Sequence, residues 1–331
     1  MGNREYLYFS HSLSPIACSL HSPHRLSPLA GFYVILPGSR GRMRAPRAFT
    51  GLIFCAAFLF SSIAFSDACT IWASAGDVVA GRGVIVGKNR DNRSSLHTRL
   101  GLVFPAKGFR FLGILDIEAD GYVVAAVNEK GLVVVNASAN SVQRSKRHVA
   151  TEDVTQRILE TFDSVDSLER EKDLFRKTHP AIYIIADSTR IMSVEVAPRG
   201  QVAITVKDNG VLAFTNHYTS ASLADANEKI SRESVVRLKR INLLIGGLNR
   251  AHTFDDFIAM SRDRNSGGPG AVMRGPRKGS SIRTLASWVI RLEPGSAPTM
   301  YAQVFNEGKQ PEAFVARLDR TFWDPIVNSE R

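Results

Sequence analysis

The 331-residue chain is 44% hydrophobic and 22% charged, which excludes a largely disordered protein and leaves room for one large domain or two ordinary ones. Its formal charge of +11 comes from dispersed basic residues without interleaved aromatic residues, so the sequence predicts no nucleic-acid partner. Its three cysteines, Cys18, Cys55 and Cys69, cannot build a disulfide framework once the first two are lost with the segments described next.

Residues 43–68 have the parts of a signal peptide. A basic start, MRAPR, is followed by the apolar segment LIFCAAFLF and by residues 61–68, which end in small side chains. The apolar stretch is interrupted by polar residues and precedes no basic cluster, so we expect a cleaved leader, with the membrane contacted only through it. Cleavage by signal peptidase after Ala68 would make Cys69 the first residue of a periplasmic or secreted protein, and Ser66 is the alternative cleavage site.

Residues 1–42 show no sustained periodicity and stand upstream of a complete leader that has its own methionine, Met43. We therefore expect residues 1–42 to be untranslated or disordered. Because we see no linker inside residues 69–331, we expect that range to form a single domain.

The first half of this domain has the pattern of short strands. Segments rich in β-branched and aromatic residues alternate with Gly, Asp and Asn turns: CTIWAS, GVIVGKN, LGLVFPA, FRFLGIL, GYVVAAVN and GLVVVNAS. Residues 128–131 (NEKG) are expected to form a hairpin turn between the last two.

The second half mixes helices and strands. Apolar residues at helical spacing predict a helix over residues 151–175, and the strands AIYIIADS, IMSVEVAP, QVAITVKD and VLAFTN follow. A second helix is predicted over residues 227–246 and a short third one at TFDDFIAMSRDR, before a Gly/Pro-rich loop at 265–281 and the strands ASWVIRLE and TMYAQVF. This order predicts an α+β layered domain and argues against alternating βαβ units.

Cysteine at a liberated N-terminus has its own general base. The α-amino group has a reference pKa of about 7.7–8.0, so it can accept the thiol proton near neutral pH, whereas a lysine amine would stay protonated. Such a site also needs a carboxylate to hold the amine, donors for the developing oxyanion and a cation. The sequence offers Lys88 and Asp91 in GKNRD, Asn216 and His217 in FTNHYTS, and Arg237 in ESVVRLKR.

Together these segments resemble the N-terminal-nucleophile hydrolases of the choloylglycine hydrolase, penicillin V acylase and isopenicillin-N acyltransferase group, the linear amide C–N hydrolases. The matching pieces occur in the family's order: Cys69-Thr70, GKNRD, NEKGL, Thr215-Asn216-His217 and SVVR. The resemblance implies an αββα sandwich, two antiparallel sheets packed between helical layers. It also implies that an acyl-enzyme on Cys69 is resolved by water or by a second amine.

The resemblance assigns roles to four residues. Cys69 is implied as nucleophile and base, Asp91 as the residue that orients its amine, Asn216 as an oxyanion donor and Arg237 as the supporting cation. Lys88 stands where the bile-salt hydrolases have arginine, which leaves its role open and favours the acyltransferase branch. Asn136 is a further polar residue whose alignment with the oxyanion site can shift by two positions.

Two other interpretations compete with this one. In the first, Cys69 is acylated and anchors an envelope lipoprotein with a binding role, although Ser66 replaces the apolar residue that lipoprotein processing favours. In the second, a papain-like enzyme pairs Cys69 with His179, His217 or His252, but a strand rather than a helix is predicted after the cysteine.

The partners expected are a small-molecule amide substrate and signal peptidase. No metal cluster or phosphate-binding loop is found in the sequence, so no metal or cofactor is predicted. The acyl and amine parts of the substrate, the choice between hydrolysis and acyl transfer, and the formation of a homo-oligomer stay open.

Overall fold

The computed structural model describes residues 5–8, 68–119, 121–147, 154–268, 270–276 and 281–324. Most of 1–42 and of the predicted leader 43–68 lies outside the described residues, as do 151–153 at the start of a predicted helix and 277–280 in the Gly/Pro-rich loop. Within the described residues, no helix has the length and apolar character needed to span a membrane.

The described residues form fourteen β-strands, and all twelve strands predicted from the sequence are among them. In chain order they are β1 (Glu5–Tyr8), β2 (Thr70–Ala75), β3 (Val84–Arg93), β4 (Thr98–Phe104), β5 (Phe111–Asp116), β6 (Tyr122–Asn128), β7 (Val133–Ser138), β8 (Ala181–Ala186), β9 (Ile191–Ala197), β10 (Gln201–Lys207), β11 (Gly210–Phe214), β12 (Ile282–Leu292), β13 (Thr299–Val304) and β14 (Glu312–Arg317). Strands β1 and β14 are not predicted from the sequence.

These strands make two antiparallel sheets. The first sheet has the order β1-β4-β5-β6-β7-β8-β9-β10, and the second has the order β11-β2-β3-β12-β13-β14. Most residues of the central strands are buried on both faces, which explains why they read as continuous apolar runs rather than as alternating ones.

The helices are shorter than the sequence predicts. They are α1 (Arg144–Arg147), α2 (Val154–Thr161), α3 (Val165–Glu169), α4 (Arg232–Gly246), α5 (Phe254–Ser261) and α6 (Arg320–Trp323). The helix expected over 151–175 is interrupted, because Ser164 caps α3 by accepting from the Ser167 N–H, and a 3-10 turn over residues 172–177 follows. Helix α4 begins at Arg232 and not at residue 227. Its N-cap is Ser231, whose side chain accepts a hydrogen bond from the Ser234 N–H at 3.2 Å.

Three clusters of buried apolar side chains define the layers. One lies between the two sheets, a second joins the first sheet to α2 and α3, and the third joins the second sheet to α4 and α5. The order helix, sheet, sheet, helix confirms the predicted αββα sandwich.

Neighbouring residues of β2 take part in two different layers. Ile71 and Ala73 lie between the sheets, whereas Trp72 packs toward α5 with its ring centroid 6.1 Å from that of Phe257. The indole of Trp72 lies over Gly87 of β3, where an added Cβ would come within 2.3 Å of it. The glycine of GKNRD therefore leaves room for this aromatic ring at the centre of the second sheet.

Candidate active site

Cys69 lies at one end of the central strands of the second sheet, where β2 begins and β3 ends. The thiol-bearing residue is 3% exposed. Ala68 before it extends the ladder, because its N–H donates to the Asp91 carbonyl oxygen at 2.9 Å. Antiparallel pairing of β2 with β3 thus brings Cys69 and Asp91, which are 22 positions apart in the sequence, to the same place.

Arg237 links Cys69 to Asn216. This arginine, on α4, is 1% exposed, and its Nη1 donates to the Cys69 carbonyl oxygen at 2.7 Å and to the Thr70 Oγ1 at 2.9 Å. Its Nη2 donates to the Asn216 Oδ1 at 2.9 Å. Burial lowers the pKa of Arg237 and the nearby Asp91 carboxylate opposes that effect, and a guanidinium stays protonated in proteins. A buried cation is therefore held directly behind the cysteine.

Asp91 has a buried carboxyl group with one oxygen left without a partner. Its Oδ1 accepts from the Thr284 Oγ1 of β12 at 2.6 Å, and its Oδ2 is buried with no hydrogen-bond partner among the described residues. Burial raises the pKa of Asp91 to about 6, against the opposing effects of the Arg237 and Arg274 cations and the Thr284 hydrogen bond. An ammonium group beside Oδ2 would satisfy this oxygen and stabilise the carboxylate.

The Asn216 side chain has a defined orientation. Because guanidinium groups only donate hydrogen bonds, the atom facing Arg237 must be Oδ1, and the Nδ2 then donates to the Ser138 carbonyl oxygen at 2.9 Å. The Asn216 backbone is held as well, since its N–H donates to the Ser234 Oγ at 3.0 Å. This amide is an N–H donor group fixed beside the strand that carries Cys69.

A polar network around Ser234 supports Asn216, and this role of Ser234 is not predicted from the sequence. The Ser234 Oγ lies 2.7 Å from the His217 Nδ1 and 2.9 Å from the Thr215 Oγ1. Burial, and then the Arg237 charge, lowers the pKa of His217, so its imidazole is neutral near pH 7. The sequence feature that could have indicated this role is the position of Ser234 in the first turn of α4. From there its side chain can hydrogen-bond to the residues that follow β11.

Lys88 of β3 lies on the strand face opposite to Asp91, the face that Val84 and Val86 share with the Cys69 side chain between the sheets, and it reaches Asn136 of β7. The Lys88 Nζ crosses to the first sheet and donates to the Val124 carbonyl oxygen at 2.7 Å and to the Asn136 carbonyl oxygen at 2.5 Å. It also donates to the Asn136 Oδ1 at 3.1 Å, while the Asn136 Nδ2 donates to the Val123 carbonyl oxygen at 3.0 Å. Both side chains thus join the two sheets.

The histidines considered as papain-like partners lie in different surroundings. His217 bonds to Ser234 as described, and His252 is buried with its Nδ1 2.7 Å from the Ser74 Oγ, near the far end of β2 from Cys69. The His179 Nε2 lies 3.4 Å from the Tyr122 hydroxyl on the first sheet. The hydrogen-bond partners of the three rings thus include Ser234, Ser74 and Tyr122.

Two open surface clefts lie away from Cys69. One of about 970 Å³ is bordered by residues 176–180 and 197–201, and one of about 710 Å³ by the turns at 128–131 and 293–298. In the described structure the thiol is closed off, with Ala68 only 7% exposed beside it. Within the described residues, no group of three or more His, Cys, Asp or Glu side chains has an arrangement that could hold a metal ion.

Solved structures with a similar chain course include two forms, a mutant and a variant, of the conjugated bile acid hydrolase from Clostridium perfringens. Their TM-scores are 0.46 and 0.48 at 14% and 16% identity, and each alignment covers 76% of this chain and 94% of that one. The penicillin V acylase from Agrobacterium tumefaciens has a TM-score of 0.47 at 14% identity, with 77% of this chain and 88% of that one covered. No match was found among curated proteins.

A family model gives the decisive comparison. The model described as acyl-coenzyme A:6-aminopenicillanic acid acyl-transferase matches residues 78–304, more than half of the chain. The matched range begins after Cys69 and includes Asp91, Asn216 and Arg237. The group predicted from the sequence motifs is confirmed, and the chain belongs to the acyl-coenzyme A:6-aminopenicillanic acid acyl-transferase family.

Proposed function

We propose that the mature protein cleaves linear, non-peptide amide bonds with Cys69 as an N-terminal nucleophile, through an acyl-enzyme that water or an acceptor amine resolves. The observation that carries the proposal is the partnerless, buried Oδ2 of Asp91. Ala68 and Asp91 lie opposite each other in the β2–β3 ladder, so cleavage after Ala68 would leave the new amine of Cys69 beside that carboxylate. Asp91 would then hold the amine in place.

The proton transfers follow from this placement. The neutral α-amine takes the proton of the Cys69 thiol, directly or through one water, and the thiolate attacks the substrate carbonyl carbon. A tetrahedral intermediate forms, with its oxyanion bound by the Asn216 amide and by a backbone N–H. As the C–N bond breaks, the protonated α-amine gives its proton to the leaving amine, and a thioester remains on Cys69.

The second half repeats these steps with another nucleophile. Water, deprotonated by the same amine, attacks the thioester carbonyl and releases a carboxylic acid, which completes an amide hydrolysis. An acceptor amine in place of water gives a new amide, which is acyl transfer. Arg237 supports both halves because its charge lies next to Asn216 and to the backbone of Cys69.

Maturation is part of the proposal. We place the mature protein in the periplasm or outside the cell, released by signal peptidase after Ala68, with residues 69–331 as one catalytic domain. The alternative, a lipoprotein acylated on Cys69, would block the amine that the mechanism uses. N-terminal sequencing and intact mass of the exported protein distinguish a bare Cys69 from an extended or lipid-modified one.

The decisive experiment adds one alanine ahead of an intact Cys69. The extended protein keeps its thiol but has its amine one residue away, so we expect hydrolysis of acyl 4-nitroanilides to fall by about 100-fold or more. Removing the extra alanine with an aminopeptidase while the protein is unfolded, and then refolding it, should restore activity, which serves as the control for folding. Undiminished turnover by the extended protein, or by a lipid-modified one, would overturn the proposal.

A further inference from the structure

Arg90 is the residue directly across the sheet from Cys69. The register of β2 and β3 pairs Thr70 with Asn89, and the Ala68 N–H donates to Asp91, so Cys69 and Arg90 form the pair between them. In an antiparallel ladder, hydrogen-bonded pairs alternate with non-hydrogen-bonded pairs. Since Ala68 and Asp91 make a hydrogen-bonded pair, Cys69 and Arg90 make a non-hydrogen-bonded one, in which side chains are closest, with Cβ atoms about 4.5–5.5 Å apart.

The two side chains also point to the same layer. Cys69 belongs to the apolar cluster between the sheets, together with Val84 and Val86 of β3. Side chains alternate along a strand, so Arg90 shares the face of Val84 and Val86. Its ion pair confirms this direction, because the Arg90 Nη2 lies 2.5 Å from the Asp116 Oδ2 at the end of β5 in the first sheet.

The Arg90 guanidinium is buried, and one of its N–H donors, at Nε, makes no hydrogen bond among the described residues. Arg90 is 3% exposed and Asp116 is 9% exposed, and the Arg90 Nε is buried with no hydrogen-bond partner among the described residues. A buried donor without an acceptor is unfavourable, more so when it carries charge. An oxygen atom supplied by a ligand next to Cys69 would remove that penalty, whereas a hydrocarbon chain would leave it in place.

We propose that the Arg90–Asp116 pair forms the acyl side of the site and selects acyl groups that carry an oxygen acceptor a few bonds from the scissile carbonyl. The oxygen belongs to a carboxylate or a hydroxyl group, which share the chemistry that the Arg90 donor recognises. Unsubstituted alkyl acyl groups are discriminated against. This inference rests on the proposed function, since it takes Cys69 as the residue that becomes acylated.

Three 4-nitroanilides with the same five-carbon acyl backbone test it: glutaryl, 5-hydroxypentanoyl and pentanoyl. With the matured wild-type protein we expect kcat/KM for at least one oxygen-bearing substrate to exceed that for pentanoyl by about 10- to 100-fold, the range of one charge-assisted hydrogen bond. The double variant Arg90→Met with Asp116→Asn, which removes both charges together, should bring that ratio close to one.

The control is an ion pair at the other end of the sandwich. Arg110 and Glu129 are also partly buried, with 2.5 Å between the Arg110 Nη2 and the Glu129 Oε2. The variant Arg110→Met with Glu129→Gln should leave the selectivity ratio unchanged. A wild-type ratio of one or less, or a ratio that survives in the Arg90 and Asp116 variant, would overturn the inference.

A binding measurement separates this inference from the proposed function. Calorimetry of glutarate, 5-hydroxypentanoate and pentanoate with the matured Cys69→Ser protein should show binding of an oxygen-bearing acid at least about 10-fold tighter than that of pentanoate. The milder variant Arg90→Lys, which keeps the charge but loses the Nε donor, should reduce this difference even if the double variant fails to fold. Selective binding without amide turnover would uphold the subsite and reject the proposed reaction, whereas turnover with equal binding of the acids would reject the subsite alone.

Discussion

Asp91 has a fully buried carboxyl group whose Oδ2 has no hydrogen-bond partner among the described residues, and in the proposed mechanism its ammonium partner arises only after cleavage. Burial raises its pKa from 3.8 to about 6 in the uncleaved chain. At a pH between these two values, Asp91 is therefore still protonated in the folded state but already ionised in the unfolded state. Stability therefore falls as pH rises from about 4 to about 6, by as much as about 3 kcal/mol if the whole shift is realised, and stays at the lower level above.

Replacing Asp91 by Asn should remove this pH dependence. In a chain kept uncleaved, we expect Asp91→Asn to be more stable than the parent at pH 8 by about 1–3 kcal/mol, measured by guanidinium unfolding, and equal to it near pH 4. The same substitution in the mature enzyme should abolish turnover, because the amine of Cys69 loses its anchor. Asp256, whose pKa is lowered to about 2 by its hydrogen bonds with Arg250 and Thr253, is the control of opposite sign. A stability difference between parent and Asp91→Asn that is the same at pH 4 and at pH 8 would contradict the raised pKa of Asp91.

Ser234 is a positioning residue whose variant should affect kcat more than KM. Ser234→Ala removes the acceptor for the Asn216 N–H and the partner of His217, so we expect kcat to fall about 10-fold and unfolding free energy by about 1–3 kcal/mol. Ser231→Ala, which removes the cap of the same helix, is the matched control and should lower stability by about 1 kcal/mol while kcat is kept. An equal loss of kcat in both variants would show that Ser234 contributes to the stability of α4 and does not position Asn216 for catalysis.

Elements with strong periodic patterns could be predicted from the sequence, and the interruptions between them could not. The twelve predicted strands are present because short runs of β-branched residues bounded by turn residues strongly favour β-strands over helices. The break at Ser164 depends on the reciprocal hydrogen bonds of its capping box with Ser167, and the late start of α4 depends on the Ser231 cap. The helical pattern of the sequence continues through both places, so it does not reveal them. Strand β14 (EAFVAR) was missed because it is an edge strand with exposed and half-buried side chains, and its short apolar run is not bounded by turn residues on both sides as those of the other strands are.

Gly87 shows how a motif can be structural and functional together. A Cβ at this position would lie 2.3 Å from the Trp72 ring, and Trp72 is fully buried against α5. We expect Gly87→Ala to lower the unfolding free energy by about 2–4 kcal/mol, since neither the strand nor the indole can move without disturbing β2 and the cysteine before it. Gly246 at the end of α4 has no atom within 4 Å of an added Cβ, so Gly246→Ala should be neutral or slightly stabilising in the same denaturation experiment. Equal stability of the two variants would show that the Trp72 contact is not restrictive.

At the scale of the whole molecule, the sheet topology brings together four segments that are distant in the sequence, those of Cys69, Asp91, Asn216 and Arg237. The sequence predicts which residues belong together, since Asp91, Asn216 and Arg237 all follow or face strand ends, but pairing partners arise only from the sheet order. Lys88 illustrates the limit, because its acceptors lie on β6 and β7 of the opposite sheet and nothing in GKNRD indicates them. Arg90 is a second case, since its neighbour Asp116 is brought to it by the packing of one sheet on the other.

The packing of the whole domain also determines when cleavage after Ala68 can occur. Ala68 and Cys69 are 7% and 3% exposed, and Ala68 is hydrogen-bonded into the second sheet, so the bond between them is out of reach of a separate peptidase once the sheet has formed. We therefore expect signal peptidase to cut the chain during export, before the domain folds. Exported Cys69→Ser protein should be trimmed at the same bond, and purified, refolded full-length chain should resist added signal peptidase while the unfolded chain is cut. Accumulation of uncleaved Cys69→Ser protein, alongside normal trimming of the parent, would show instead that the thiol is required and that the folded domain cuts its own chain, since only an intramolecular attack can reach a peptide bond closed off in this way.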